Sequence, residues 1–192
     1  MYKQCRTEQA AARQQLLEQG LLQMMQRQQF EEISVSDLCD EIGVPRKTFY
    51  RYFSGKHGAL YSVIDRALMD FEVHTIFSDM KDPQAPQRYM EQVFVYWIQH
   101  RQLLDALKKS GISGLLIQRA LAFSQNLDTI PRFMQITDRR LREYGTMFIV
   151  CGLMTMIVQW HHDGFSKSVE EMAGLSMQML TRPLFSGNLE DL

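Results

Sequence analysis

Cysteine is scarce in this chain: Cys5, Cys39 and Cys151 are widely separated in 192 residues, and their number is odd. They make no CxxC pair and no disulfide framework, which suits a reducing, cytoplasmic setting. Cys39 and Cys151 read as small buried hydrophobes, and Cys5 as exposed. Proline is scarce as well, with five residues, and there are no Asn-Gly turns or alternating β-branched runs, so a sheet of hairpins is excluded. Neither sign of charge is in excess: 21 basic residues face 22 acidic ones, net −1. That excludes a surface that binds polyanions all over, but it allows a local basic patch. GxSxG, HExxH and phosphate-binding glycine loops are all missing, so no enzyme, cofactor or metal is expected. The start is polar and rich in Gln and Ala, unlike a secretory leader. The longest apolar stretch, residues 147–158, is interrupted by Gly152 and Thr155. It falls short of the roughly 20 residues needed to span a bilayer, and no membrane partner is expected.

What the chain does have is helical spacing. We read it as all-α, with about nine helices. The first is predicted over residues 7–28, with Leu16, Leu17, Gly20, Leu21, Met24 and Met25 on its inner face. A short connection anchored by Phe30 follows. Ser34-Val-Ser-Asp37 has the form of a capping box and opens a second helix, whose inner face is Val35, Leu38, Cys39 and Ile42. Gly43 supplies a turn. Pro45 suits the first position of a third, short helix over residues 45–53. A fourth is predicted from Lys56 to about Phe77, and a loop over residues 81–86. Further helices are predicted over 87–100, 102–109, 113–126, 131–162 and 169–180, the last behind a second box, Ser168-Val-Glu-Glu171.

The second helix, glycine turn and third helix have the form of a helix-turn-helix, in which a short second helix can enter the major groove. No acid occurs between Gly43 and Ala59, while Arg46, Lys47, Thr48, Tyr50, Arg51, Tyr52 and Lys56 do. Arg and Lys can pair with phosphates or guanine edges, and Thr and Tyr hydroxyls can donate to phosphate oxygens. The same run could also be a solvated helix face.

The order of these pieces resembles the TetR family of DNA-binding regulators. The residues that carry the resemblance are Ser34, Leu38, Ile42-Gly43-Val44, Tyr50, Phe53 and Lys56, within the first third of the chain. The resemblance implies phosphate contacts from Ser34, Tyr50 and Lys56. It places Arg46, Lys47, Thr48 and Arg51 on or beside the recognition helix, and Phe49 and Phe53 in the core. Pro45 stands where the family usually has a Ser or Thr, Lys47 where it usually has a small residue, and Lys56 to Leu60 is one residue longer than the usual spacing.

Two regions are therefore expected: residues 1–56 as the DNA-binding domain and residues 57–192 as a helical bundle for dimerisation and effector binding. The doubly apolar run 147–160 needs partners on two sides, one of them a second copy of the chain. Met90, Phe94, Trp97, His100, Leu116, Phe123, Met134 and Met147 could line a cavity for a small apolar or amphipathic effector, or could be ordinary core. His161-His162-Asp163 is not expected to hold a metal, because adjacent side chains on a helix diverge. The function expected is a ligand-responsive repressor, dimeric on a palindromic double-stranded operator, in a bacterium. The alternative is a non-sensing architectural or cell-cycle DNA binder on the same fold.

Overall fold

The computed structural model of the chain describes residues 2–3, 7–74, 84–124 and 138–181. These contain nine α-helices: α1 Glu8–Arg27, α2 Val35–Ile42, α3 Arg46–Tyr52, α4 Lys56–His74, α5 Ala85–Gln99, α6 Arg101–Lys109, α7 Gly114–Ser124, α8 Arg139–His162 and α9 Val169–Thr181. A 3-10 turn, Phe30–Glu32, joins α1 to α2. Among the described residues the extended pairing is one isolated antiparallel bridge, Tyr2 to Phe53.

Helix α1 starts where the Thr7 side chain accepts from the Ala10 N–H at 3.3 Å. Leu17, Leu21, Met24 and Met25 form its buried stripe. Leu16, expected on that stripe, is exposed. At about 100° per residue it falls outside the arc centred on Leu17 and Leu21. Gly20 marks the crossing of α1 and α2: a Cβ there would lie 2.3 Å from Ile42 Cδ1. Helix α1 also packs on α4 and α6, so the N-terminal helices and the bundle share one continuous hydrophobic core.

Three expected boundaries shift. Pro45 is the N-cap of α3, not its first residue, with an extended ψ of 140°. The loop expected over 81–86 ends at Gln84; Ala85 and Pro86 form the first turn of α5, where proline's missing N–H is not needed. Helix α8 begins at Arg139, after the extended N-cap Asp138, whose carboxylate accepts from the Leu141 N–H at 2.8 Å. Cys39 is buried as expected, whereas Cys151 is only partly so. Cys5, Met134, the end of the fourth predicted helix near Phe77 and the predicted helix start at 131 lie outside the described residues.

The dozen-residue apolar stretch understates its element. Helix α8 has 24 residues and is long and apolar enough to cross a membrane by length and composition, with 22% of that apolar window buried. One face, with Thr146, Val150, Met154, Ile157 and Trp160, packs inward, and α8 lies on α7 and α6. The opposite face is also apolar. In the bundle, α5 packs on α9.

Candidate nucleic-acid interface

The reading unit is built from local signals. The Ser34 hydroxyl accepts from the Asp37 N–H at 3.0 Å, and the Asp37 carboxylate accepts from the Ser34 N–H at 3.2 Å. Two otherwise orphaned donors are thereby satisfied. These bonds to Ser34 hold the Asp37 carboxyl below its ordinary pKa. Helix α2 stops at Gly43, in the left-handed region at φ 71°, a conformation that a Cβ disfavours. The Val44 N–H then returns to the Cys39 carbonyl at 2.9 Å, and α3 leaves at an angle.

Helix α3 has seven residues and two faces. Phe49 and Phe53 are fully buried, with ring centroids 5.2 Å apart. Arg46, Lys47, Tyr50 and Arg51 are exposed, and Thr48 is half-buried. The three cations have no carboxylate partner among the described residues. Cations and a phenol are thus presented on one side of a helix whose other side is an aromatic anchor, an arrangement suited to a polyanion's grooves. Ser34 is exposed at the start of α2. Burial pushes the Cys39 thiol up, so it stays protonated beneath this surface.

Two expected site residues are placed differently. Tyr52 is 5% exposed and packs with Phe53. It lies three residues from Phe49, on the inner face of α3, and belongs to the core. Lys56 points back into the protein. Its ammonium donates to the Phe30 and Glu31 carbonyls, each at 2.9 Å, faces the Glu31 carboxylate at 3.5 Å, and sits 4.7 Å over the Phe30 ring. An ammonium has three donors, and these partners engage them, so Lys56 holds the 3-10 turn.

Sequence reasoning missed a set of partners under this surface. Residues 2 and 3 pair with the end of α3: the Lys3 N–H donates to the Tyr52 carbonyl at 3.0 Å, beside the Tyr2–Phe53 bridge. Below them, Arg66 of α4 binds the Glu18 carboxylate of α1 at 2.8 and 3.2 Å, and the Ser62 hydroxyl donates to the same carboxylate at 2.6 Å. Asp65 is gripped by Arg119 of α7. A charged residue on an otherwise apolar helix face was the signal available for Glu18 and Asp65. Nothing in the sequence linked residue 2 to residue 53.

The expected effector residues divide. Met90, Phe94 and Trp97 are buried on α5. His100, half-buried, stacks on Tyr96 at 4.0 Å and lies 6.1 Å from the Trp97 ring. Phe123 on α7 and Met147 on α8 are half-buried in the other helix pair. Leu116 is fully buried. The Trp97 indole N–H is buried and has no hydrogen-bond partner among the described residues. A cleft of about 310 Å³ lies elsewhere, where Phe30, Leu60, Tyr61, Ile112, Leu115 and Gln118 meet, and none of the expected effector residues lines it. His161 and His162 do diverge: one ring faces Asp105 at 2.7 Å, the other Ser113 at 3.3 Å.

Residues 10–58, which hold this helix-turn-helix, match the family model for bacterial regulatory proteins of the tetR family. The HTH-type transcriptional regulator EthR of Mycolicibacterium smegmatis is 37% identical over 149 residues, covering 65% of this chain and 68% of that protein. Among solved structures, the fatty acid degradation regulator FadR from Bacillus halodurans superposes with a TM-score of 0.60 at 14% identity, covering 95% of this chain and 98% of its own. A tetR-family regulator from Streptomyces coelicolor gives 0.58 at 19% identity, over 88% of this chain and 78% of its own. The TetR family repressor AlkX from Dietzia sp. gives 0.55 at 15% identity, over 86% and 92%. The chain belongs to the TetR family of bacterial regulatory proteins, and is a DNA-binding transcriptional regulator, not an enzyme.

Proposed function

We propose that the chain is a ligand-responsive repressor that binds a palindromic operator as a homodimer. Residues 1–56 read DNA, and residues 57–192 dimerise and bind the effector. Arg46, Lys47, Thr48 and Arg51 face the groove, and Ser34 and Tyr50 bond phosphates. What supports this is the exposure of the α3 cations and the Tyr50 phenol over a buried aromatic anchor. A two-fold dimer sets its two recognition helices in successive major grooves, roughly 34–36 Å apart.

The observation that carries the ligand response is the Trp97 indole N–H, buried on α5 without a partner among the described residues. An unsatisfied buried donor costs about 1–3 kcal/mol. A ligand that brings an acceptor to it recovers that cost and selects the domain geometry that admits it. The effector is therefore a small, largely apolar molecule with one hydrogen-bond acceptor. Repression is relieved if that geometry binds operator less well than the empty one, since a ligand shifts an equilibrium only through differential affinity.

Medium-chain fatty acids and esters, set against alkanes of equal length, test the acceptor. Acceptor-bearing ligands are expected to raise the melting temperature and to release DNA selected by the protein from a random pool. Trp97→Phe, still folded, is expected to lose the preference over alkanes. If no ligand of either kind changes melting or DNA release, the ligand response is wrong and the architectural reading takes its place.

A further inference from the structure

Residues 2 and 3 connect the end of α3 to α4 from outside the helix-turn-helix. The Tyr2–Phe53 bridge and the Lys3 N–H to Tyr52 carbonyl bond fix these two residues along the end of α3. The Tyr2 phenol then reaches 63 residues along the chain and donates to the Asp65 carboxylate at 2.7 Å. Asp65, on α4, is buried, and Arg119 of α7 binds it with two nitrogens, Nε at 2.8 Å and Nη2 on the second oxygen. An unbroken series of bonds thus runs from α7, which packs on α8, through α4 to the C-terminal end of the recognition helix.

The same two residues bring charge to the reading face. Lys3 is exposed, with no carboxylate or carbonyl partner for its ammonium among the described residues. With Tyr2, Tyr50, Tyr52, Phe53 and Ser54 it lines a cleft of about 270 Å³ beside the exposed phenol of α3. Burial, then the Asp65 carboxylate, push the Tyr2 phenol well above its ordinary pKa, so it remains a protonated donor. The Arg119 guanidinium is held charged by its bond to Asp65.

We propose that residues 2 and 3 belong to the DNA-reading unit: Lys3 adds a phosphate contact beside Tyr50, and Tyr2 is a positioning residue that sets the end of α3 against Asp65 and Arg119. The two roles separate by experiment. A lost phosphate contact weakens every DNA sequence alike and lowers the salt slope. A misplaced recognition helix weakens chosen sequences alone, because base edges are read by geometry.

The test titrates two duplexes at several salt concentrations, one selected by the unmodified protein from a random pool and one unselected. Lys3→Ala is expected to weaken both equally, with the slope of log affinity against log salt reduced by about one, and Lys3→Arg to restore both. Tyr2→Phe keeps the ring and removes one hydrogen bond. It is expected to weaken the selected duplex about two- to tenfold, with unselected binding and salt slope unchanged. An unchanged slope and affinity in Lys3→Ala overturns the proposal. So does a Tyr2→Phe protein whose binding to both duplexes falls only in step with its folded fraction by circular dichroism. If the unmodified protein selects no sequence, the operator reading fails on its own, and the Lys3 slope on unselected DNA still decides this one.

Discussion

At the scale of single residues, the division of labour around α3 comes from which donors are already engaged. Arg46 and Lys47 project outward without carboxylate partners among the described residues, whereas the Lys56 ammonium is held by two carbonyls and lies over a ring. A cation engaged in this way contributes to stability and little to phosphate binding. Lys56→Met is expected to lower unfolding stability by about 1–3 kcal/mol, because it leaves two carbonyls without their charged donor, and to leave the salt slope of DNA binding unchanged. Arg46→Ala is expected to do the reverse: near-native stability and a slope smaller by about one. Urea denaturation and salt-dependent titration of both variants check this, and a reduced slope in Lys56→Met would return that residue to the interface. Tyr52 shows how much the sequence already held. It lies three residues from Phe49 and so shares its buried side, whereas Tyr50 is rotated out. Residue type alone treated the two phenols alike. Lys56 was not legible in this way, since its acceptors are backbone carbonyls 25 and 26 residues away.

At the scale of elements, the local signals carried furthest. Both capping boxes form as written, at Ser34–Asp37 and Ser168–Glu171, and Gly43 takes its left-handed turn. Each depends on atoms within a few residues, so spacing suffices to find it. The Asp37 carboxyl titrates below its ordinary value of 3.8 because Ser34 bonds its charged form. Its folded pKa is therefore depressed. The stabilisation is present above the unfolded value and is lost as pH falls through the lowered folded value. Ser34→Ala is expected to destabilise by about 1 kcal/mol at neutral pH and by less in acid, which denaturant midpoints across that range measure. The α1–α2 crossing was less legible, because Gly20 could as well have been a weak helix position. With its Cβ position 2.3 Å from Ile42 Cδ1 and 2.7 Å from Cγ1, Gly20→Ala is expected to push the two helices apart and cost about 1–3 kcal/mol. Ile42→Ala in the same chain is expected to recover part of that loss in a double-mutant cycle. Additive losses would mean that the contact relaxes without strain. The charges Glu18 and Asp65 stood out on apolar helix faces, but their pairing with Ser62, Arg66 and Arg119 was not legible, since the partners come from three helices far apart in sequence.

At the scale of the whole molecule, α8 has two apolar faces, and the described chain covers one. Met154 and Ile157 turn inward, at 7% and 0% exposure, while Leu141, Tyr144 and Phe148 turn outward at 59%, 71% and 71%. Their spacing, three then four residues, keeps them on a single stripe that Gly152 and Thr155 continue. Gly152 has nothing within 4 Å of its Cβ position, so another helix can approach closely there. Met179 and Leu180 of α9 are exposed as well. Large aromatics on a continuous stripe mark an interaction surface, and a self-complementary two-fold contact is the commonest way to close one. The side chain to charge is therefore Phe148, 71% exposed, and not Met154, which packs inward at 7%. Phe148→Glu is expected to give a folded monomer, because the charge enters the proposed interface and leaves the α7–α8 packing intact. Met154→Glu is expected instead to unfold the bundle. A monomer presents one recognition helix, so its affinity for a palindromic duplex is expected to fall about 10²- to 10⁴-fold through the lost effective concentration of the second. Sedimentation equilibrium, circular dichroism and DNA titration on the two variants separate these outcomes. A monomeric unmodified protein at micromolar concentration, or a Phe148→Glu protein that remains dimeric, would remove the outer face of α8 from the assembly.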